Sequence, residues 1–213
     1  MAIAFDAAAG GAQGSVTSLT FALTVSGSER VILVGAVIDS GDDITGITYA
    51  GASLTQIAKV QFPNKSAFCY LYYRIAPSTG ANNVVISASG VTTIWGQAAS
   101  YTGADQSSQP DASATNTTTT TSITGTVTTI ANNCWAIMFG QCDNDSLTAQ
   151  AGTTIRSSSG SNTAISDGNA AVTPPGATTL GYNCASGNNA VVIASIDPSI
   201  IGGASLMPLL GIG

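Results

Sequence analysis

Along the chain, apolar and polar positions alternate in short runs rather than at a helical spacing. Segments rich in Val, Ile, Thr and aromatic residues are separated by clusters of Gly, Asn, Asp, Ser and Pro, the punctuation of β-strands and turns. This reading predicts strands over Ser15–Val25, Arg30–Ile38, Ile44–Ala50, Leu54–Val60, Ala67–Ile75, Asn83–Ser87 and Thr93–Tyr101. After a polar stretch it predicts Thr121–Ile130, Cys134–Cys142, Thr153–Ser157, Ala164–Val172, Thr178–Asn183 and Ala190–Ile196. The rhythm is that of an all-β sandwich or barrel. Val31–Ile38 and Cys134–Phe139 are apolar on both faces. Such strands are central, with a cover on each side supplied by the fold or by a partner subunit.

The turns carry their own signals. Gly27, within Val25-Ser-Gly-Ser-Glu-Arg30, suits a tight reversal at positive φ. Asn132-Asn133 holds the equivalent place before the second apolar strand, and Asn tolerates the left-handed region. Val31–Asp39 aligns with Trp135–Asp143, Ala50–Leu54 with Ala151–Ile155, and Pro77 with Pro174, at nearly constant spacing. The shared order of turn, buried strand, Asp-rich loop, Ala-Gly strand and Pro-Gly turn fits two halves interleaved in one double-sheet jelly roll, the alternative being the self-similarity of any β-chain of biased composition. The expected organisation is an N-terminal arm over 1–14, a single antiparallel β-sandwich of jelly-roll type over 15–197, and an apolar C-terminal docking tail over 198–213. Gly10-Gly-Ala-Gln-Gly14 reads as part of a flexible arm, and Ser107–Thr121 as a polar crossover or edge strand. The tail carries no charge, and its exposure would invite aggregation. Ile200, Ile201, Leu206, Met207, Leu209 and Leu210 are therefore the candidate interface residues.

Composition narrows the function classes. Charged residues are 8% and hydrophobic residues 44% of 213, against roughly 25% charged in an ordinary domain. Low charge with ample apolar content is the opposite of a disordered chain. Arg30, Lys59, Lys65, Arg74 and Arg156 are scattered and face eleven acids, so no basic stripe points to nucleic acid. The longest strongly apolar run, Val31–Ile38, falls well short of the ~20 residues of a spanning helix. Aromatics, at 6%, are too sparse for the girdles of a membrane barrel, and no membrane partner is expected. The N-terminus lacks a basic region and a long apolar core, which reads as synthesis in a cytoplasm or a leader already removed.

The candidate chemistry is thin. The chain has no His, the commonest general base and metal ligand, and no G-x-S-x-G elbow. Its one Glu, Glu29, lies in a hairpin turn, which argues against a paired-carboxylate glycosidase. The expectation is no enzyme and no cofactor. Cys69, Cys134, Cys142 and Cys184 form no C-x-x-C pair and read as small buried hydrophobes, with one or two disulfides left open. Asp39–Asp43 and Asp143–Asp145 read as turns, with a partial calcium site as the alternative. Trp95 and Tyr101 are the candidate glycan contacts, since an exposed aromatic face stacks on sugar; filling the core or an interface is the competing role.

A run of framework segments carries a resemblance. Ser26-Gly-Ser-Glu-Arg-Val-Ile-Leu-Val-Gly-Ala-Val-Ile-Asp39, Ile47-Thr-Tyr-Ala-Gly-Ala-Ser-Leu-Thr55, Leu71-Tyr-Tyr-Arg-Ile-Ala-Pro77 and Ala99-Ser-Tyr-Thr-Gly-Ala-Asp-Gln106 resemble a β-sandwich module of tailed-phage structural proteins and some bacterial surface proteins. The resemblance implies a jelly-roll or lectin-like sandwich on a virion surface and brings no catalytic residues with it. The expected function is a capsid decoration, cement or head-fibre subunit, made in the host cytoplasm. Its partners would be copies of itself, a trimer being one closed arrangement, and the major capsid protein or other virion proteins. The alternatives are a tail-fibre protein recognising host glycans and a bacterial extracellular carbohydrate-binding module.

Overall fold

A computed structural model describes residues 1–39, 41–143, 146–159, 162–185 and 187–199. The fold is all-β, and every ladder is antiparallel. The first half contains β1 (Ala4–Val25), β2 (Val31–Ile38), β3 (Ile44–Tyr49), β4 (Ala52–Ser53), β5 (Thr55–Gln61), β6 (Phe68–Ile75) and β7 (Gly80–Thr102). The second contains β8 (Ala112–Thr118), β9 (Ser122–Thr128), β10 (Trp135–Cys142), β11 (Thr148–Ala149), β12 (Thr154–Ser159), β13 (Thr163–Asp167), β14 (Ala177–Asn183) and β15 (Asn189–Ile196).

The antiparallel sandwich architecture read from the sequence is present, but it is built twice. In the first half β1 and β7 pair along nearly their whole length, with register shifts around Val16. Beyond those shifts the two strands contribute to a second layer. Ala4–Gln13 and Ile94–Thr102 complete the sequence β5-β6-β2-β7-β1, while Val16–Val25 and Gly80–Ser87 run beside β3. The second half repeats this order as β12-β13-β10-β15-β8 and β11-β14-β9, with the two long strands each replaced by two shorter ones. Fine details repeat as well. A bulge falls between Gln56 and Ala58 on β5 and between Ile155 and Ser157 on β12. Gly51 (φ 77°) and Gly152 (φ 78°) make matching turns, as do Glu29 (φ 51°) and Asn133 (φ 63°) ahead of the central strands.

The halves do not interleave into one jelly roll; each encloses its own core and the two stack. Ile32, Val34, Ala36 and Ile38 face Leu19, Leu23, Ile47 and Ile86 inside the first half. Ala136, Met138 and Cys142 face Ile123, Leu180 and Tyr182 inside the second. A third core lies between the halves, where Val31, Leu33 and Val37 meet Ile137, Phe139, Val192 and Ala194. This explains the doubly apolar strands. All eight residues of β2 are buried, because one face meets its own sandwich and the other meets the second half. At about 1.5–3 kcal/mol per fully buried Val, Leu or Ile, such strands dominate the cohesion of the fold. Periodicity shows that both faces are covered, without showing by what.

Residues 4–14 are also not an arm. They form the first half of β1, and the small side chains that read as flexibility serve close packing. A Cβ at Gly10 would lie 1.9 Å from Oε1 of Gln97. Two cysteines pair: Cys142, ending β10, and Cys184, following β14, form a disulfide with a Cα–Cα distance of 5.5 Å. Cys69 and Cys134 are buried free thiols, as small hydrophobes would be.

Candidate functional site

Where the ends of the two halves meet, the surface opens into a cavity of about 670 Å³ lined by residues that include Ala2, Ile3, Asp105, Ala131, Ala171, Asp197 and Pro198. A polar network from the crossover holds two of its lining residues, Asp197 and Ala131. The Gln109 side chain donates to the Asp197 carbonyl (3.0 Å) and accepts from the Asp197 amide (3.1 Å), fixing the exit of β15. Asp111 accepts from the amides of Ile130 (2.8 Å) and Ala131 (3.2 Å) and from the Ser195 hydroxyl (2.9 Å). The buried Cys134 thiol donates to Asp197 (3.0 Å) and contacts the Ala131 carbonyl (3.2 Å).

Asp111, Cys134 and Asp197 thus bring one potential ligand atom each to within 4.8 Å of one another. A divalent ion would need all three deprotonated, and the local electrostatics oppose this. Burial raises the Asp197 carboxyl above the ordinary carboxylate value; the Cys134 hydrogen bond works against the shift, and the charges of Asp111 and Asp105 add to it. Burial, followed by Asp197, pushes the Cys134 thiol up as well. Asp105 moves the other way, lowered by the hydroxyl and amide of Ser107 and the amide of Ser108. Protein hydrogen bonds already serve each group of the triad, so the arrangement is accounted for as a hydrogen-bonded joint between β15 and the crossover.

This joint has a pH signature. The folded-state pKa of Asp197 lies above its unfolded value, so the native state holds more protons across that interval. Stability therefore falls as pH rises from the ordinary Asp value, ~3.9, through the raised one. Asp197→Asn removes this contribution, and urea midpoints followed from acid to neutral pH should lose that part of their decline. An unchanged profile would show that Asp197 does not hold the proton.

The cavity also gathers the chain's ends as described. The amino group of Met1 donates to the Ser199 carbonyl (2.7 Å), and the Ser199 hydroxyl donates to Glu29 (2.7 Å). Ile200, Ile201, Leu206, Met207, Leu209 and Leu210 lie outside the described residues.

The candidate glycan residues belong to the central interface. Tyr101 is fully buried, so its ring offers no face to a sugar; its hydroxyl donates to Asp167 (2.9 Å). Burial, with the adjacent Asp167 charge, moves the Tyr101 phenol well above its usual range. Trp95 is half-buried against the same core. In the Asp-rich loop after β2, Asp43 is committed to Lys59 (2.8 Å) and Tyr70 (2.6 Å), which leaves less for a calcium ion. Asp143 pairs with Lys65, and Asn144 and Asp145 lie outside the described residues.

Two polar groups at the interface escaped the sequence reading. Arg156, on the β12 bulge, forms a bidentate pair with the buried Asp167 (2.7 and 2.9 Å) and lies over the Phe5 ring. Gln97, fully buried, accepts from Ser157 (2.7 Å) and donates to Ser159 across the interface. The available signal for the first was a lone arginine inside an otherwise uncharged strand.

Comparison with protein-family models, curated proteins and solved structures finds no match for this chain. The observations so far define a β-sandwich-type all-β protein.

Proposed function

We propose that the chain is a structural subunit of a virion, a capsid decoration, cement or head-fibre protein that works through contacts with copies of itself and with neighbouring virion proteins. One observation carries the reading. The described chain reaches Ser199 beside a cavity lined partly by apolar residues, and the fourteen-residue sequence that follows contains no charged side chain and seven large apolar residues. The rest of the chain suits a contact body: stacked sandwiches, three buried cores and few charges whose desolvation would oppose association. The residue resemblance to tailed-phage sandwich modules supplies the virion setting. Its mechanism is mechanical: the double sandwich provides a stiff block, and residues 200–213 supply the apolar contact.

The glycan-binding reading loses a named contact with the burial of Tyr101. The test is location. Virions purified from the source of the gene, analysed by quantitative mass spectrometry and immunogold labelling, should contain the protein in many regularly placed copies. Its absence from purified particles would overturn the proposal.

A further inference from the structure

The contact between the two halves has the form of a dimer interface. β2 and β10 are equivalent: Val31 pairs with Tyr101 on β7, and Trp135 pairs with Ile196 on β15. Both strands turn the same parity inward, with Val31, Leu33 and Val37 on one side and Ile137 and Phe139 on the other. The flanks are reciprocal. β5 lies against β8 and β15, and its equivalent β12 lies against β1 and β7, which are the equivalents of β8 and β15. A contact in which each element meets the counterpart of the element its own counterpart meets is isologous, the pattern of a two-fold axis.

At the middle of this face the equivalence is broken in a complementary way. Gly35 and Phe139 hold the same position in β2 and β10, yet one is a hole and the other fills it. A Cβ on Gly35 would stand 1.9 Å from Cγ of Phe139. Polar pairing also differs between the flanks, with Lys65 meeting Asp143 and Asn64 meeting Asn188 on the β5 side. Arg156 occupies the bulge position that Ile57 holds in the first half, and Gln97 meets Ser157 and Ser159.

We infer that this face is a dimer interface carried within one chain, and that each half is a module whose fitting partner is the opposite half, from the same chain or from a second copy. Like pairing is disfavoured at the centre. Two first halves leave a void where Gly35 meets Gly35, and two second halves drive Phe139 against Phe139. The disulfide lies wholly within the second half and ties neither half to the other. The inference does not depend on the virion reading.

Two measurements test it on the full chain. A protease site inserted between the exposed Ser107 and Ser108 allows the folded protein to be cut in the crossover. The fragments should remain together through gel filtration. After denaturation and refolding, native mass spectrometry should show one first half with one second half. Separation on cleavage, or like pairs in the refolded mixture, overturns the inference. The second measurement moves the knob. Gly35→Phe and Phe139→Gly should each lower the melting temperature by about 5–10 °C, one by overpacking and the other by a cavity. If the face is two-fold, the double variant rebuilds the contact in mirror positions and melts above both single variants. A double variant melting no higher than the better single variant contradicts a two-fold face.

Discussion

Replacing Arg156 with Met is expected to destabilise the protein by about 3–5 kcal/mol, the cost of leaving a buried carboxylate without its cation. The Asp167 side chain is fully inaccessible and that of Arg156 is 14% exposed. The guanidinium supplies two hydrogen bonds, while the remaining donors are the Tyr101 hydroxyl and the Asn169 amide. Those two neutral donors cannot balance the charge. The pair itself is a weak source of net stability, since desolvating both ions offsets much of their attraction. Arg156→Met combined with Asp167→Leu should therefore recover most of the loss. Urea unfolding of the two single variants and the double variant measures the coupling directly. Purely additive losses would show that the pair does not act as a unit.

Loss of the Cys142–Cys184 disulfide should have a comparable effect. The bond closes a loop between residues 42 apart, for which the chain-entropy argument gives about 4 kcal/mol of stabilisation through the unfolded state. The effect belongs to the second half, because Cys142 ends the central β10 and Cys184 follows β14 in the opposing layer. The Cys142→Ala/Cys184→Ala variant should lose that amount in urea, and dithiothreitol should bring the native protein to the same midpoint. Cys69 and Cys134 should stay silent to a thiol reagent until unfolding, since both are buried and burial raises both thiols. A native midpoint indifferent to reductant would refute the structural role of the bond.

How much of this was legible in the sequence depends on the range of each interaction. The strands and their turns were local and could be read, whereas the duplication showed only as matched segments that a biased composition could also produce. Gly27 and Asn133 sit at positive φ, which their residue types tolerate. Val31–Ile38 was recognisably covered on both faces, but alternation carries no information about which surface supplies the cover. Two stacked sandwiches and one interleaved sandwich therefore gave the same pattern. Residues 4–14 misled because small side chains signal flexibility in isolation and close approach in a packed sheet, as Gly10 beside Gln97 shows. The candidate sites depended on contacts between distant residues. Tyr101 could be assigned to a sugar or to the core until Asp167 was placed beside it. Cys134, Asp111 and Asp197 converge only because the crossover folds back along β15.

The central claim is that the chain is a subunit whose uncharged end segment makes the assembly contact. Sedimentation velocity of the full chain and of a chain ending at Ser199, over the same concentration series, tests it most directly. The full chain should sediment as a discrete oligomer and the shortened chain as a folded monomer with an unchanged melting temperature. Identical sedimentation of the two, whether as monomers or as oligomers, would contradict it.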